Sequence, residues 1–181
     1  VVTSHGAYPT FSYHVRAQGG VLATVPYRDD AEEPEALIAE AVRSGAKLIY
    51  IANPDNPMGS WHPATRIQAM IDAVPEGCLL LLDEAYIDLA PAGTEPVLDM
   101  TDPRVIRMRT FSKAHGLAGM RIGYALGNAG LIASFDKIRN HFGVSRLTQV
   151  AALAALADAD WLGEVKVLIE AARSRIAQIG A

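Results

Sequence analysis

Lys47-Leu48-Ile49-Tyr50-Ile51-Ala52-Asn53-Pro54-Asp55-Asn56-Pro57 passes in a single step from a β-type apolar run to a polar cluster bracketed by prolines. The first six residues read as a strand buried on both faces. The polar residues begin directly at its carboxyl end. The same transition recurs further on. Leu79-Leu80-Leu81-Leu82 runs into Asp83-Glu84-Ala85-Tyr86, and a strand from Val105 closes in Thr110-Phe111-Ser112-Lys113. Val21 to Val25 and Ile122 to Leu126 read as further strands.

Helical patterns lie between these runs. Pro34 to Ser44 places Leu37, Ile38, Ala41 and Val42 on one face, with Pro34 in the first turn and Gly45 just past the end. A second helix follows Pro63, with Ile67, Met70, Ile71 and Val74 on its apolar face and Pro75 stopping it. A short one is expected near Ser12 to Gln18. This alternation predicts an α/β fold: a mostly parallel sheet with helices on both faces. Only about ten residues separate Phe111 from Ile122, too few for a crossover helix, so one strand of that pair is expected to run antiparallel. The C-terminal part reads as helical. Arg146 to Leu156 forms one helix. Asp160 is expected to cap another, whose stripe of Val165, Leu168, Ile169, Ala172, Ile176 and Ile179 is expected to pack on the rest of the fold.

Bulk properties narrow the function classes. A length of 181 residues suffices for one domain with a sizeable core. The net charge of −4, without a basic cluster, argues against a nucleic-acid binder. A single cysteine, Cys78, excludes an intrachain disulfide and fits a reducing compartment, so the cytoplasm is the expected location. No apolar run approaches a membrane span. His5, His14, His62 and His141 lack metal-ligand spacing, so no metal is expected. The chain opens in an apparent strand without an initiator Met, which suggests a fragment.

In open parallel sheets, ligands bind beyond the carboxyl ends of the strands. Three polar clusters are therefore expected to converge on one edge. Lys113 is a nucleophile toward aldehydes once neutral. Asp83, on a buried strand end, is costly unless it faces a positive group such as a protonated pyridine. Asn56 and Tyr86 can hydrogen-bond a ring oxygen. Thr110 and Ser112 offer hydroxyls, and Arg121 a fork that suits phosphate. Phe11 can lie flat on a ring. An aldehyde, a pyridinium, a phenolic oxygen, a phosphate and a flat face together describe pyridoxal 5'-phosphate (PLP).

The same segments resemble fold-type I PLP-dependent aminotransferases of class I/II and, within them, the histidinol-phosphate aminotransferase family. Asn53-Pro54-Asp55-Asn56-Pro57-Met58-Gly59 resembles that family's Asn-Pro-x-Asn-Pro-Thr-Gly segment. Asp83-Glu84-Ala85-Tyr86 matches its aspartate-to-tyrosine segment, and Thr110 through Tyr124 resembles its lysine loop nearly throughout. Tyr8-Pro9-Thr10-Phe11 resembles the segment with its stacking aromatic.

The resemblance implies catalytic roles for Lys113, as the Schiff-base lysine, and for Asp83 and Tyr86. It implies cofactor binding by Phe11, Asn56, Asp83, Tyr86, Thr110, Ser112, Lys113 and Arg121. It makes the bond before Pro57 a candidate cis peptide, and also that before Pro9. It further implies a homodimer and transfer of an amino group between an amino acid and an oxo acid or oxo phosphate. Residues 1 to 160 would form a partial PLP-binding large domain. Residues 161 to 181 would lead toward a small C-terminal domain which, like an N-terminal segment, lies outside the chain. Met58, where threonine is usual, and His115, where an aromatic is more frequent, depart from the pattern.

Three other readings compete. The strand before Asp83-Glu84 also resembles the magnesium-binding strand of a nucleotide hydrolase, but no phosphate loop of the matching type is present. A PLP-fold ligand sensor or an inactive remnant would keep the fold without the reaction. Decarboxylases and synthases share the same anchors.

Overall fold

A computed structural model describes residues 1–180. Six strands form one sheet: β1 (Val2–Ser4), β2 (Ala23–Val25), β3 (Leu48–Ala52), β4 (Leu79–Asp83), β5 (Val105–Thr110) and β6 (Gly123–Gly127), in the order β2-β1-β3-β4-β5-β6. The pairs β1–β2, β1–β3, β3–β4 and β4–β5 are parallel. The final pair runs the other way. The amide of Phe111, just after β5, donates to the carbonyl of Ile122, just before β6, at 3.2 Å. At the other end of β6, Gly127 lies so close to Val105 that a Cβ would stand 2.7 Å from its carbonyl oxygen. The short connection thus reverses the chain, as expected, and the α/β reading with a mostly parallel sheet holds.

The chain divides into two compact units. Residues 1–109 with 124–139 form the first, which holds most of the sheet; residues 110–123 with the stretch from Asn140 onward form the second. In the first unit, strand alternation sorts the side chains onto two faces. Ile49, Ile51, Leu80 and Leu82 face Leu37 of α2 (Pro34–Ser44) and Ile67, Met70 and Ile71 of α3 (Ala64–Asp72). On the other face, Tyr50, Ala52 and Leu81 meet Ala7 and Phe11, the latter on α1 (Pro9–Ala17). Local sequence explains the helix ends. Pro34 occupies the first turn of α2, and Gly45 ends it in the left-handed region at φ 62°, where a side chain is disfavoured. α1 starts at Pro9, three residues before the expected Ser12, because proline is equally suited to its first turn.

Two expectations fail, the Asp160 cap and the cis bond before Pro9, one holds only in part, and one helix has no counterpart among them. The five-residue α4 (Ala129–Ala133) is capped by the Asn128 side chain, which accepts from the Gly130 and Leu131 amides; too short to show a period, it leaves no pattern in the sequence. In the second unit, α5 spans Arg146–Ala157, and α6 (Ala159–Ile179) is capped by Asp158, not Asp160. The Asp158 carboxylate accepts from the Trp161 amide at 2.9 Å. The α6 stripe is covered only at its start: Val165 and Ile169 are half-buried, while Leu168, Ile176 and Ile179 are 66%, 69% and 84% exposed. The bonds before Pro54 and Pro57 are cis; that before Pro9 is not among the cis bonds of the described residues. Among those residues no helix is long and apolar enough to cross a membrane.

Glu84 is buried and accepts from Arg107 through both oxygens, at 2.6 and 3.0 Å, and from Arg109 at 2.9 Å. Glu95, on the loop before β5, also pairs with both arginines. Removing one member of a buried pair leaves the other charge uncompensated. Glu84→Ala is expected to cost about 3–5 kcal/mol in urea unfolding; a cost below about 1 kcal/mol, as for an exposed pair, would refute this account.

Candidate functional site

In the first unit the polar residues that follow the apolar runs gather past the carboxyl ends of β3 and β4. Ala52 and Asp83 are direct partners in the ladder. Asp83 shares its face with Leu81 and Tyr50, the α1 face, by alternation. Its Oδ2 accepts from the Tyr50 hydroxyl at 2.7 Å and its Oδ1 from the Ala85 amide at 3.0 Å. Two donors therefore hold this carboxylate in one orientation. Burial, ahead of the Asp83 charge, pushes the Tyr50 phenol up, so Tyr50 stays a donor.

Phe11 stacks on Tyr50, with ring centroids 4.2 Å apart and planes 15° from parallel. The stack fixes the Phe11 ring plane. Asn56 donates from Nδ2 to the Tyr86 hydroxyl at 3.2 Å, which ties the loop after β3 to the loop after β4. The structure thus joins the expected residues in two pairs, Phe11 with Asp83 through Tyr50 and Asn56 directly with Tyr86.

A buried layer lies beside this group. Tyr27 donates to Asp55 Oδ2 at 3.0 Å, and the Met58 amide donates to the same oxygen at 3.3 Å. Glu32, 1% exposed, accepts from the Ala52 amide at 2.9 Å. Burial, opposed by the bond from Ala52 and by the Ser4 hydroxyl, pushes Glu32 up to about 8. Burial likewise pushes Asp55 up. The sequence reading missed Tyr50, Tyr27 and Glu32. Tyr50 had one usable signal: it is the only polar-tipped side chain inside its strand. Glu32 had none, because its partner is the backbone of a strand twenty residues away.

The remaining expected residues, Thr110, Ser112, Lys113 and Arg121, lie in the second unit. The Thr110 hydroxyl accepts from the Ser112 amide at 3.1 Å, which turns the chain sharply after β5. The Leu117 amide donates to the Phe111 carbonyl at 2.9 Å and closes the loop that presents Lys113. Lys113 is exposed, while Phe111 and Ala114 beside it are buried. Arg121 sits in the left-handed region at φ 53°, unusual for a residue with a side chain, and its guanidinium donates to the Ala118 carbonyl at 2.7 Å. The resulting chemistry is an exposed primary amine among hydroxyls and a guanidinium in one unit, and an oriented carboxylate with amide and phenol donors in the other. Among the described residues no cluster of His, Cys, Asp or Glu could hold a metal ion.

Comparison with known proteins gives the setting of these residues. The family model "Aminotransferase class I and II" matches residues 1–179. Histidinol-phosphate aminotransferase 1 of Psychrobacter arcticus is 37% identical over 171 residues, covering 93% of this chain and 44% of that protein. An aromatic amino acid aminotransferase of Corynebacterium efficiens is 38% identical, covering 97% of this chain and 52% of that protein. The crystal structure of histidinol-phosphate aminotransferase from Sinorhizobium meliloti, in complex with PLP, superposes with a TM-score of 0.97 at 57% identity, over 99% of this chain and 49% of that one. The chain spans about half the length of the relatives it matches.

Tyr50→Phe keeps the stack on Phe11 and removes only the donor to Asp83. It is expected to lower stability to urea by about 1–2 kcal/mol. No measurable change would show that the Asp83 carboxylate does not depend on that bond.

Proposed function

The chain belongs to the class I and II aminotransferases, and from that premise we propose that it is the cofactor-anchoring half of a PLP-dependent aminotransferase of the histidinol-phosphate type. The observation that carries the proposal is the near-complete superposition, at 57% identity, on a PLP-bound histidinol-phosphate aminotransferase. The donor set fits the cofactor. Asp83 is a carboxylate with one fixed orientation, suited to a protonated ring nitrogen. Asn56 and Tyr86 are half-buried polar groups suited to a ring oxygen. Phe11 has a fixed ring plane suited to stacking. Thr110, Ser112 and Arg121 supply hydroxyls and a guanidinium suited to a phosphate, and Lys113 supplies the amine.

Bound PLP acts as an electron sink for the substrate's α carbon. The protein's residues do the rest. Asp83 keeps the proton on the ring nitrogen and so preserves the sink. Lys113 would hold the cofactor through its aldehyde and, once the incoming substrate amine has freed it, would move a proton between the substrate's α carbon and the cofactor side. Asn56 and Tyr86 orient the ring through its oxygen, and Phe11 excludes water from one face.

The proposed reaction moves an amino group from an amino acid, glutamate being the family's usual donor, to an oxo acid or oxo phosphate. The relatives include both histidinol-phosphate and aromatic amino acid aminotransferases, so the acceptor is proposed to carry a flat ring or a phosphate. The protein is proposed to be a cytoplasmic homodimer. Residues 1–160 are proposed as part of its large domain and residues 161–181 as the segment toward the small one; α6 (Ala159–Ile179) supports this, and residue 181 lies outside the described residues.

In the full-length protein loaded with PLP, borohydride reduction followed by peptide mass spectrometry is expected to place a phosphopyridoxyl group on Lys113. Lys113→Ala should lose both the adduct and the cofactor's visible band. An adduct on another lysine, with Lys113 unmodified, would refute the assignment. Asp83→Asn should retain the adduct and lower kcat by about 10²-fold or more, since it removes charge stabilisation of the developing carbanion.

A further inference from the structure

Glu32, 1% exposed, is a carboxylate that the proposed reaction does not use and that, unlike the equally buried Glu84, has no arginine pairing it among the described residues. The chain delivers it inward through a tight reversal. Asp29 and Asp30 both take positive φ, 50° and 59°, while Arg28 and Ala31 exchange backbone hydrogen bonds at 3.0 and 2.9 Å. The Glu32 carbonyl is then fixed by His62 Nε2 at 2.8 Å, and His62 is pinned to Asn53 by a reciprocal pair of bonds at 2.8 and 3.1 Å.

The carboxylate takes a vacant place in the ladder. β1 pairs with β3 only at Val2 and Ile49, so the Ala52 amide has no strand partner on that side, and Glu32 Oε2 accepts from it instead. This split between β1 and β3 is the switch point of the sheet, where successive connections leave in opposite directions. Glu32 Oε1 is buried with no hydrogen-bond partner, and so is Asp55 Oδ1.

The groups facing Glu32 are Ser4 from β1, Tyr27 and Asp55 from the flanking loops, Tyr50 from β3, Asp83 from β4, and the ring of His62, which contacts its backbone. His62 is kept neutral by burial first, and the neighbouring Arg66 adds to this. None of the described residues gives Glu32 a cationic partner. Glu32 and Asp55, both buried, therefore share one desolvated corner beside the Asp83 site. Ionisation of both buried acids there is disfavoured by burial and by mutual repulsion.

We propose that Glu32 is a positioning residue of the Asp83 site that carries a proton in the free protein and releases it to solvent when a cationic ring binds at Asp83. This rests on the PLP reading above. The released proton leaves Glu32 as an anion whose field, across the Ala52–Asp83 ladder pair, strengthens the hold on a protonated ring nitrogen. The sign follows from linkage. A buried acid held protonated in the fold, with an ordinary carboxylate in the unfolded chain, stabilises the fold fully below the unfolded value; that contribution is lost as pH rises to about 8.

The test uses the full-length protein and the isosteric Glu32→Gln. Without cofactor, wild-type stability to urea is expected to fall relative to Glu32→Gln between pH 5 and pH 8, and parallel curves would overturn proton carriage. With PLP, the ratio of wild-type to Glu32→Gln affinity, read by absorbance, is expected to be near one at pH 6. It should rise toward pH 9 by about tenfold for each unit by which the bound ring lowers the carboxyl's pKa. A flat ratio would overturn the release step.

If Glu32→Gln does not fold, infrared titration of the wild type should show a protonated-carboxyl band lost between pH 6 and pH 9. Asp55→Asn, which removes a neighbouring negative charge, should move that transition to lower pH; an unmoved transition, or loss of the band, would overturn the assignment to Glu32. Absence of any PLP binding would overturn the functional reading and the release step together, while the cofactor-free measurements would still decide whether Glu32 carries the proton.

Discussion

A strand covered on both faces by apolar residues has little room for an unpaired charge except at its ends, and in β3 and β4 this constraint sets where the polar residues lie; on β5 the buried Arg107 is paired by Glu84 and Glu95. β3 and β4 carry Ile49, Ile51, Leu80 and Leu82 into one core and Tyr50, Ala52 and Leu81 into another. Carboxylates inside either layer would be desolvated without compensation. The polar residues are therefore pushed to the carboxyl ends, where Asp83 and the Asn53–Pro57 loop meet. The same desolvation makes the bonds from Tyr50 and Ala85 necessary, since a half-buried carboxylate without donors would not hold one position.

Much of this was legible in the sequence, for physical reasons. The strands showed as apolar runs and α2 and α3 as periodic faces, because burial dictates residue type at fixed spacing. Asp83, Asn56 and Tyr86 could be singled out because a polar cluster directly after an apolar run has one place to go in a parallel sheet. Residues that act through another element were hidden. Glu32 is defined by an amide on β3, and Tyr50 reads as one more strand aromatic until Asp83 is seen beside its hydroxyl. Asp158 and Asp160 were equivalent cap candidates by type, and only the start of α6 separates them. The α6 stripe has the period of a packed helix yet is mostly exposed beyond Ile169, since periodicity records that a face is apolar and not what covers it.

The two units also divide the chemistry. The first contributes acids, phenols and an amide whose orientations are set by hydrogen bonds across strands far apart in the chain. The second contributes an amine, hydroxyls and a guanidinium on a short loop with several local bonds: Thr110 with Ser112, Phe111 with Leu117, Arg121 with Ala118. Local bonds let a loop keep its internal shape while its side chains adjust. Cross-strand bonds fix position at the cost of that freedom.

The ion-pair cluster on β5 acquires a second meaning from its neighbour. Asp83 and Glu84 are consecutive, so their side chains leave the backbone on opposite sides. Glu84 is bolted to Arg107 and Arg109 on one side, while Asp83 faces α1 on the other. The peptide between them behaves as a pivot clamped from below. Any sideways travel of the Asp83 carboxylate would have to drag two guanidinium groups through a dry layer, so the rigidity of the acid at the mouth of the sheet is set by charges on its far side.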